Sequence, residues 1–398
     1  MSELKALVDS YQEKVVQYRR NIHRHPELGD HEEKTSAYVE SILTGIGIEV
    51  KKGYGGYGLV GIIHGGRGGG KCIGIRADMD ALPIKEDTGL PFASETPGVM
   101  HACGHDMHTA ILLGCAHVLY DIRDQFAGTV KLIFQPAEEI PQRGAIPCIE
   151  DGILQDPAVD AAIALHVSVL QTGKMRTKPG PATAASARFT ITVKGRSGHA
   201  AMPNNAIDPI AMSAEVVSAL QQIVSRKIPA NDPCVVSIGT IHGGTVYNQL
   251  PDHVVLEGTC RCFRNEIMLK VQEEMNRICA GVTSAFGGSY ELDFKYNSHP
   301  VINDDHMYEI VHQAMVEALG EENALLMREP GMASEDFGSF TEHIPCCYME
   351  LGAIADWQEP YPPHNAKATF DEDAIPNGME VMVRSALIWL AENNGGRE

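Results

Sequence analysis

The sequence predicts an α/β protein: a mixed sheet with helices on both faces, carrying an inserted ferredoxin-like α+β domain. Two patterns carry that expectation. Over roughly the first 175 residues, helical spacing alternates with short apolar runs, as in a sheet flanked by helices. From about Lys178 the order becomes strand, helix, strand, strand, helix, strand, which is the split βαβ unit.

The elements follow in turn. Helical spacing covers 3–24, stopping near Pro26, and then 31–45. The runs "GLVGIIHG" (58–65), "KCIGIRAD" (71–78), "GTVKLIFQPAEE" (128–139) and "VDAAIALHV" (159–167) read as strands. Between the second and third a helix opens near Asp106, a residue type suited to an N-cap. In the insert, "ARFTITVKG" (187–195), 234–242, 248–262 and 289–297 read as strands, with helices over 208–225 and 265–285. Helical and strand patterns resume from 303 but are too few for a core of their own. The expected organisation is therefore an α/β domain formed by 1–180 and 300–398, with 181–299 inserted.

Of 398 residues, 44% are hydrophobic and 21% charged, an ordinary globular composition. A formal charge of -20, spread along the chain, repels phosphate backbones and anionic lipid surfaces. Neither nucleic acid nor a membrane is an expected partner. The stretch "MSELKALVDSYQEKVVQYRRNIHRHPE" mixes charges at helical spacing and offers no signal-peptide core, so a cytoplasmic location is expected. Ten cysteines without a C-x-x-C fit reduced thiols. Cys260, Cys262, Cys346 and Cys347 sit in apolar strand contexts where inert thiols are common.

Two glycine-rich stretches imitate nucleotide motifs. "GYGGYG" (53–58) matches G-x-G-x-x-G but leads into a strand, not the helix that meets a pyrophosphate. "GGRGGGKC" (65–72) has Cys72 where a phosphate loop needs Ser or Thr, and a strand follows; it reads as a hairpin turn.

Chemistry concentrates elsewhere. Three predicted strands end in Asp78, in Glu138-Glu139 and in His166, and ligands in open α/β sheets gather at the carboxyl ends of strands. "VMHACGHDMHTAILLG" (99–114) adds Cys103 and His105 from a loop entering a helix. Adjacent acidic residues at a strand end point different ways, so one carboxylate can bind metal while the other handles protons. Each residue alone has an ordinary structural reading: a core histidine, a solvated acidic turn, an inert thiol. Their joint placement favours a site, with a metal-dependent hydrolase, a cysteine hydrolase using Cys103 and His105, and a non-catalytic metal-binding protein as the readings left open.

The motifs "HRHPELGDHEEKT", "GIRADMDALPI", "MHACGHDMHTA", "FQPAEE", "ALHV", "SGHAAMPNNAIDPI", "YNQLPD", "SEDFGSF" and "PPHNAKATF" occur in this order between about residues 18 and 380. Together they resemble the hippurate hydrolase, N-acyl-amino-acid and auxin-conjugate amidohydrolase family, within the dinuclear-metal aminoacylases and carboxypeptidases. The resemblance implies two divalent ions per subunit, with zinc or manganese first and cobalt or nickel as further candidates. It implies Cys103 as bridging thiolate, completed by His105, Glu139, His166 and His364, with Glu138 as general base and Asp78 orienting a ligand. Arg76 stands where the wider superfamily has a metal-binding histidine, a position that His105 supplies in this subfamily. His199 would donate to the oxyanion in the partner subunit of a homodimer formed through the insert. Asn248 and Arg261 would hold the substrate carboxylate, for which the planar Arg fork is suited. The expected reaction is hydrolysis of an N-acyl amino acid, with dipeptidase, carboxypeptidase or N-acetyl-diaminopimelate deacetylase activity as alternatives on the same site. His101 and His108 receive no role.

Overall fold

The computed structural model describes residues 3–394. It forms two compact units: Met1–Ala182 with Ile302–Glu329 and Ser339–Glu398, and Thr183–Val301 with Pro330–Gly338.

The first unit is built on an eight-stranded mixed sheet. Its strands β1 (Glu49–Tyr54), β2 (Gly58–His64), β3 (Cys72–Asp78), β4 (Thr129–Gln135) and β5 (Ala161–Gln171) lie in the order β1-β2-β4-β3-β5. Cys346–Ile354, Met175–Thr177 and Ala324–Leu326 continue the sheet. β3, β4 and β5 are parallel, and Cys346–Ile354 adds parallel to β5. Every residue of β3 and β4 is buried, which is why they read as continuous apolar runs rather than alternating ones.

Alternate residues of these strands, Ile73, Ile75, Ala77, Val130, Leu132 and Phe134, enter one core. Helices α1 (Glu3–Arg24), α2 (Glu33–Ile46) and α3 (His105–Asp121), with the helix Ile375–Asn394, pack into the same core. Lys131 of β4 points the other way, and its buried ammonium donates to the carbonyls of Gln155 and Pro157, 3.3 Å for the latter. That bond draws the 155–157 segment over the opposite face.

Three expectations need correction. "GGRGGGKC" is not a hairpin turn, because β4 lies between β2 and β3. The loop crosses the start of β4 and bonds to it: Gly65 N–H to Gly128 O (2.8 Å), Gly128 N–H to Gly68 O (2.9 Å), Thr129 N–H to Lys71 O (3.0 Å). Asp106 does not cap α3. The helix begins at His105 after Gly104 in a left-handed conformation (φ 91°), and Asp106 turns inward to the buried Arg19. The strand expected at 248–262 starts at His253, since Pro251 lacks the N–H a ladder needs; Gln249–Leu250 pairs separately with Gly198–His199. "GYGGYG" is the turn between β1 and β2, with Gly53, Gly55 and Gly56 all at positive φ.

The second unit is a four-stranded antiparallel sheet in the order Cys234–Gly243, His253–Cys262, Ala185–Lys194, Ser289–Ser298. Helices Pro209–Gln222 and Asn265–Ala285 share one core with the alternate residues Ala185, Ala187, Phe189, Ile191 and Val193. This is the ferredoxin-like β-α-β-β-α-β arrangement. Asp208 caps the first helix, accepting from Ile210 N–H at 2.8 Å, with Pro209 at its first position. Among the described residues no helix is long and apolar enough to cross a membrane.

Candidate metal centre

The site lies at the carboxyl ends of β3, β4 and β5 in the first unit. β3 ends in Asp78, fully buried between Arg76 and His108. Arg76 Nη1 donates to Asp78 Oδ2 at 2.6 Å and its Nε to Gln135 Oε1 at 3.0 Å, so this arginine is committed to holding strand ends. Burial alone would push the Asp78 carboxyl up, but His105, His108 and Arg76 hold it well below the carboxylate range.

Two imidazoles are oriented the same way. His105 Nδ1 is held by Asp80, 3.0 Å from its carbonyl and 3.1 Å from Oδ1, leaving the buried Nε2 without a hydrogen-bond partner. His166 Nδ1 donates to Val167 O at 2.6 Å, leaving Nε2 3.4 Å from Cys103 Sγ. A histidine whose Nδ1 is engaged by an acceptor presents Nε2 as a lone pair, which is how metal-ligating histidines are fixed.

The donors form two groups. Ligand atoms of Cys103, His105 and His166 lie within 4.8 Å of one another, as do those of Cys103, Glu139 and His364. Cys103 belongs to both. Glu138 groups with His105 and Glu139 on the same scale. His364 Nε2 is 3.0 Å from Glu139 Oε1, on a residue held at φ 67° by the bond from its N–H to Ala102 O (3.0 Å). Burial raises the Cys103 thiol well above its ordinary value, so a thiolate there needs an adjacent cation. The orphaned Nε2 of His105 and the thiol shared by two donor groups fit a pair of divalent ions.

His108 is excluded from ligation by its own bonds. Nδ1 is 2.6 Å from Asp78 Oδ1, and Nε2 accepts from Val167 N–H at 2.9 Å. Both nitrogens are therefore used, and burial takes the ring's pKa down to about 4. His108 ties β3 to β5 beneath the cluster. His101 is buried with neither nitrogen bonded, and burial lowers it to about 3.

Asp80 was missed by sequence reasoning. Its Oδ2 accepts from the Glu139 amide at 2.9 Å while Oδ1 and the carbonyl face His105, so one buried residue orients two donors. The signal was the second acid of "DMD" just past a strand end.

The chain as a whole is similar to named proteins. The model of peptidase family M20/M25/M40 matches residues 74–387. The chain belongs to this family. An N-acyl-L-amino acid amidohydrolase of Geobacillus stearothermophilus is 43% identical over 76% of this chain and 81% of its own. Thermostable carboxypeptidase 1 of Saccharolobus solfataricus is 37% identical over 95% and 96%. The crystal structure of a dinuclear metal binding peptidase of the M20 family from Bacillus subtilis is 34% identical, with a TM-score of 0.82 over 97% and 99% of the chains. The M20 chain is thus a hydrolase of the amidohydrolase and peptidase type, from a family with a solved member described as binding two metals.

His199, Asn248 and Arg261 lie in the second unit. His199 and Asn248 are exposed and neighbouring: His199 pairs with Gln249, and Ala200 N–H donates to Asn248 O at 3.0 Å. Arg261 is half-buried on the strand His253–Cys262, with Nη1 buried and unbonded.

Proposed function

We propose that this M20 enzyme hydrolyses the amide bond of N-acyl amino acids, releasing a carboxylic acid and a free amino acid. The observation that carries the reading is the sharing of Cys103 by two donor groups, with Glu138 beside them.

Two divalent ions held by Cys103, His105, Glu139, His166 and His364 would supply an acidified water and polarise the amide carbonyl. Glu138 takes the proton from the attacking water and returns it to the amide nitrogen as the C–N bond breaks. Asp78 holds His108, which braces β3 against β5, and Asp80 holds His105 and the Glu139 amide, so these two donors are oriented in advance. In this reading His199 donates to the oxyanion in the partner subunit of a homodimer, and Asn248 and Arg261 help hold the substrate carboxylate.

A carboxypeptidase-like preference is a second reading, favoured by the likeness to thermostable carboxypeptidase 1. One panel separates them: N-acetyl and N-benzoyl amino acids against dipeptides with a free amino terminus, assayed with enzyme reconstituted with zinc or manganese. Faster release of amino acid from the acylated substrates supports the first reading. Preference for free dipeptides transfers the assignment to the second, and no release from any substrate rejects both.

A further inference from the structure

The motif "HPELGDHEEKT" contributes no donor to the cluster, yet it is packed against the turn that carries Glu138. Ala81 N–H donates to Glu27 O at 2.8 Å, just past Asp80. Gly29 lies so close to the 136–140 turn that a Cβ there would come within 3.1 Å of Ala137 Cα and 2.8 Å of Ile140 Cδ1. Ala137 is a non-glycine residue at φ 53°, a left-handed conformation that surrounding structure must sustain.

Glu32 supplies that support. It precedes α2, where an acidic side chain would ordinarily cap the first amides of the helix. It makes no such bond. Glu27 does the capping instead, accepting from Lys34 N–H (3.2 Å) and Thr35 N–H (2.8 Å). The carboxylate of Glu32 is free to point inward, where Oε1 accepts from Ala137 N–H at 2.7 Å and Oε2 has no hydrogen-bond partner. The residue is completely buried, and a buried carboxyl with a single bond is destabilising in itself. Asp80 accepts from the Glu139 amide two residues on, so Glu138 is bracketed by two amides, each fixed by a buried carboxyl group.

We infer that Glu32 is a positioning residue for Glu138, holding the strained Ala137 backbone so that the Glu138 side chain is aimed at the reacting amide. The inference rests on the assignment of Glu138 as the proton carrier. It requires an acceptor atom at position 32, not a charge, and it leaves the metal donors untouched.

The test compares Glu32→Ala and Glu32→Gln in the metal-loaded enzyme, with Glu138→Gln in parallel. Three quantities are read: kcat against KM, bound metal by elemental analysis, and exchange of the Ala137 amide by hydrogen–deuterium exchange. Glu32→Ala is expected to lose about 10- to 100-fold in kcat, as for a catalytic group misplaced by about 1 Å, with KM and metal content unchanged and Ala137 exchanging faster. Glu32→Gln keeps an acceptor and is expected to stay near wild type in all three. Wild-type kcat in Glu32→Ala, equal damage in Glu32→Gln, or loss of metal in Glu32→Ala overturns the inference. If Glu32→Ala does not fold, Gly29→Ala retains Glu32 but crowds the same turn, and an unchanged kcat there is the overturning result. Turnover retained in Glu138→Gln would overturn the proposed function instead, while the exchange readout still reports on the brace.

Discussion

Asp80 holds His105 by Nδ1, 3.1 Å from Oδ1, and thereby turns the opposite ring nitrogen into the donor cluster. Removing that carboxylate leaves only the Asp80 carbonyl, 3.0 Å from the same nitrogen, behind the ring and lowers its basicity. Asp80→Ala is expected to weaken metal binding by roughly 10- to 100-fold, the usual effect of losing a partner behind a ligand. Titration against a competing chelator measures it, and unchanged affinity would show that the Asp80 carbonyl holds the ring without the carboxylate.

Glu138 stands beside the cluster, and the proposed chemistry asks it only to carry a proton. Glu138→Gln should retain both metal ions and lose roughly 10²–10⁴-fold in kcat, the span general acid–base catalysis supplies. Elemental analysis and steady-state kinetics on one preparation decide this. Wild-type turnover would move the proton work elsewhere.

Burial pushes the Cys103 thiol well above its ordinary value, so the metal-free protein should carry it as an unreactive thiol at neutral pH. Iodoacetamide is then expected to leave Cys103 unmodified in chelator-treated protein, and turnover should vanish with the metal. Cys103→Ser should lower metal content, since the softest donor shared by both groups is lost. Activity that survives chelation and falls on alkylation of Cys103 would restore a cysteine hydrolase.

Glu32 adds a pH dependence to stability. Burial, and then Asp80, raise its carboxyl to about 7, against an ordinary value of 4.5. Between those values the folded chain keeps a proton that the unfolded chain has lost, so stability falls as pH rises from about 4.5 through 7. The loss is on the order of 3 kcal/mol at 1.36 kcal/mol per pKa unit. Urea unfolding of metal-free protein at pH 5 and pH 8 should show this drop in the wild type and a smaller one in Glu32→Gln. Identical drops in both proteins would remove Glu32 as its source.

His108 illustrates what local sequence conceals. Three histidines near one cysteine look equivalent in "HACGHDMH", and only the long-range bonds to Asp78 and Val167 separate a bracing ring from that of His105, whose Nε2 has no hydrogen-bond partner. The strand ends were legible because buried parallel strands are continuous apolar runs, and an Asp, a Glu pair or a His at their ends is conspicuous. The β2–β3 connection was not, because a tight glycine turn looks the same whether the next strand pairs beside it or beyond a third. Glu32 and Asp80 escaped for a related reason. Their acceptors serve amides 105 and 59 residues away, and nothing in a window around either residue encodes that distance.

Gly104 sits between Cys103 and His105 at φ 91°, and a Cβ there would lie 2.3 Å from Val167 Cγ2 and 3.0 Å from the Phe370 ring. Both the backbone angle and the neighbours disfavour a side chain, so a replacement shifts the flanking Cys103 and His105 together. In a saturation library selected for turnover this codon should return glycine alone, however many substitutions the flanking helix accepts. On the proposed assignment of Cys103 and His105, gradual mutation at this position therefore has no small step to take.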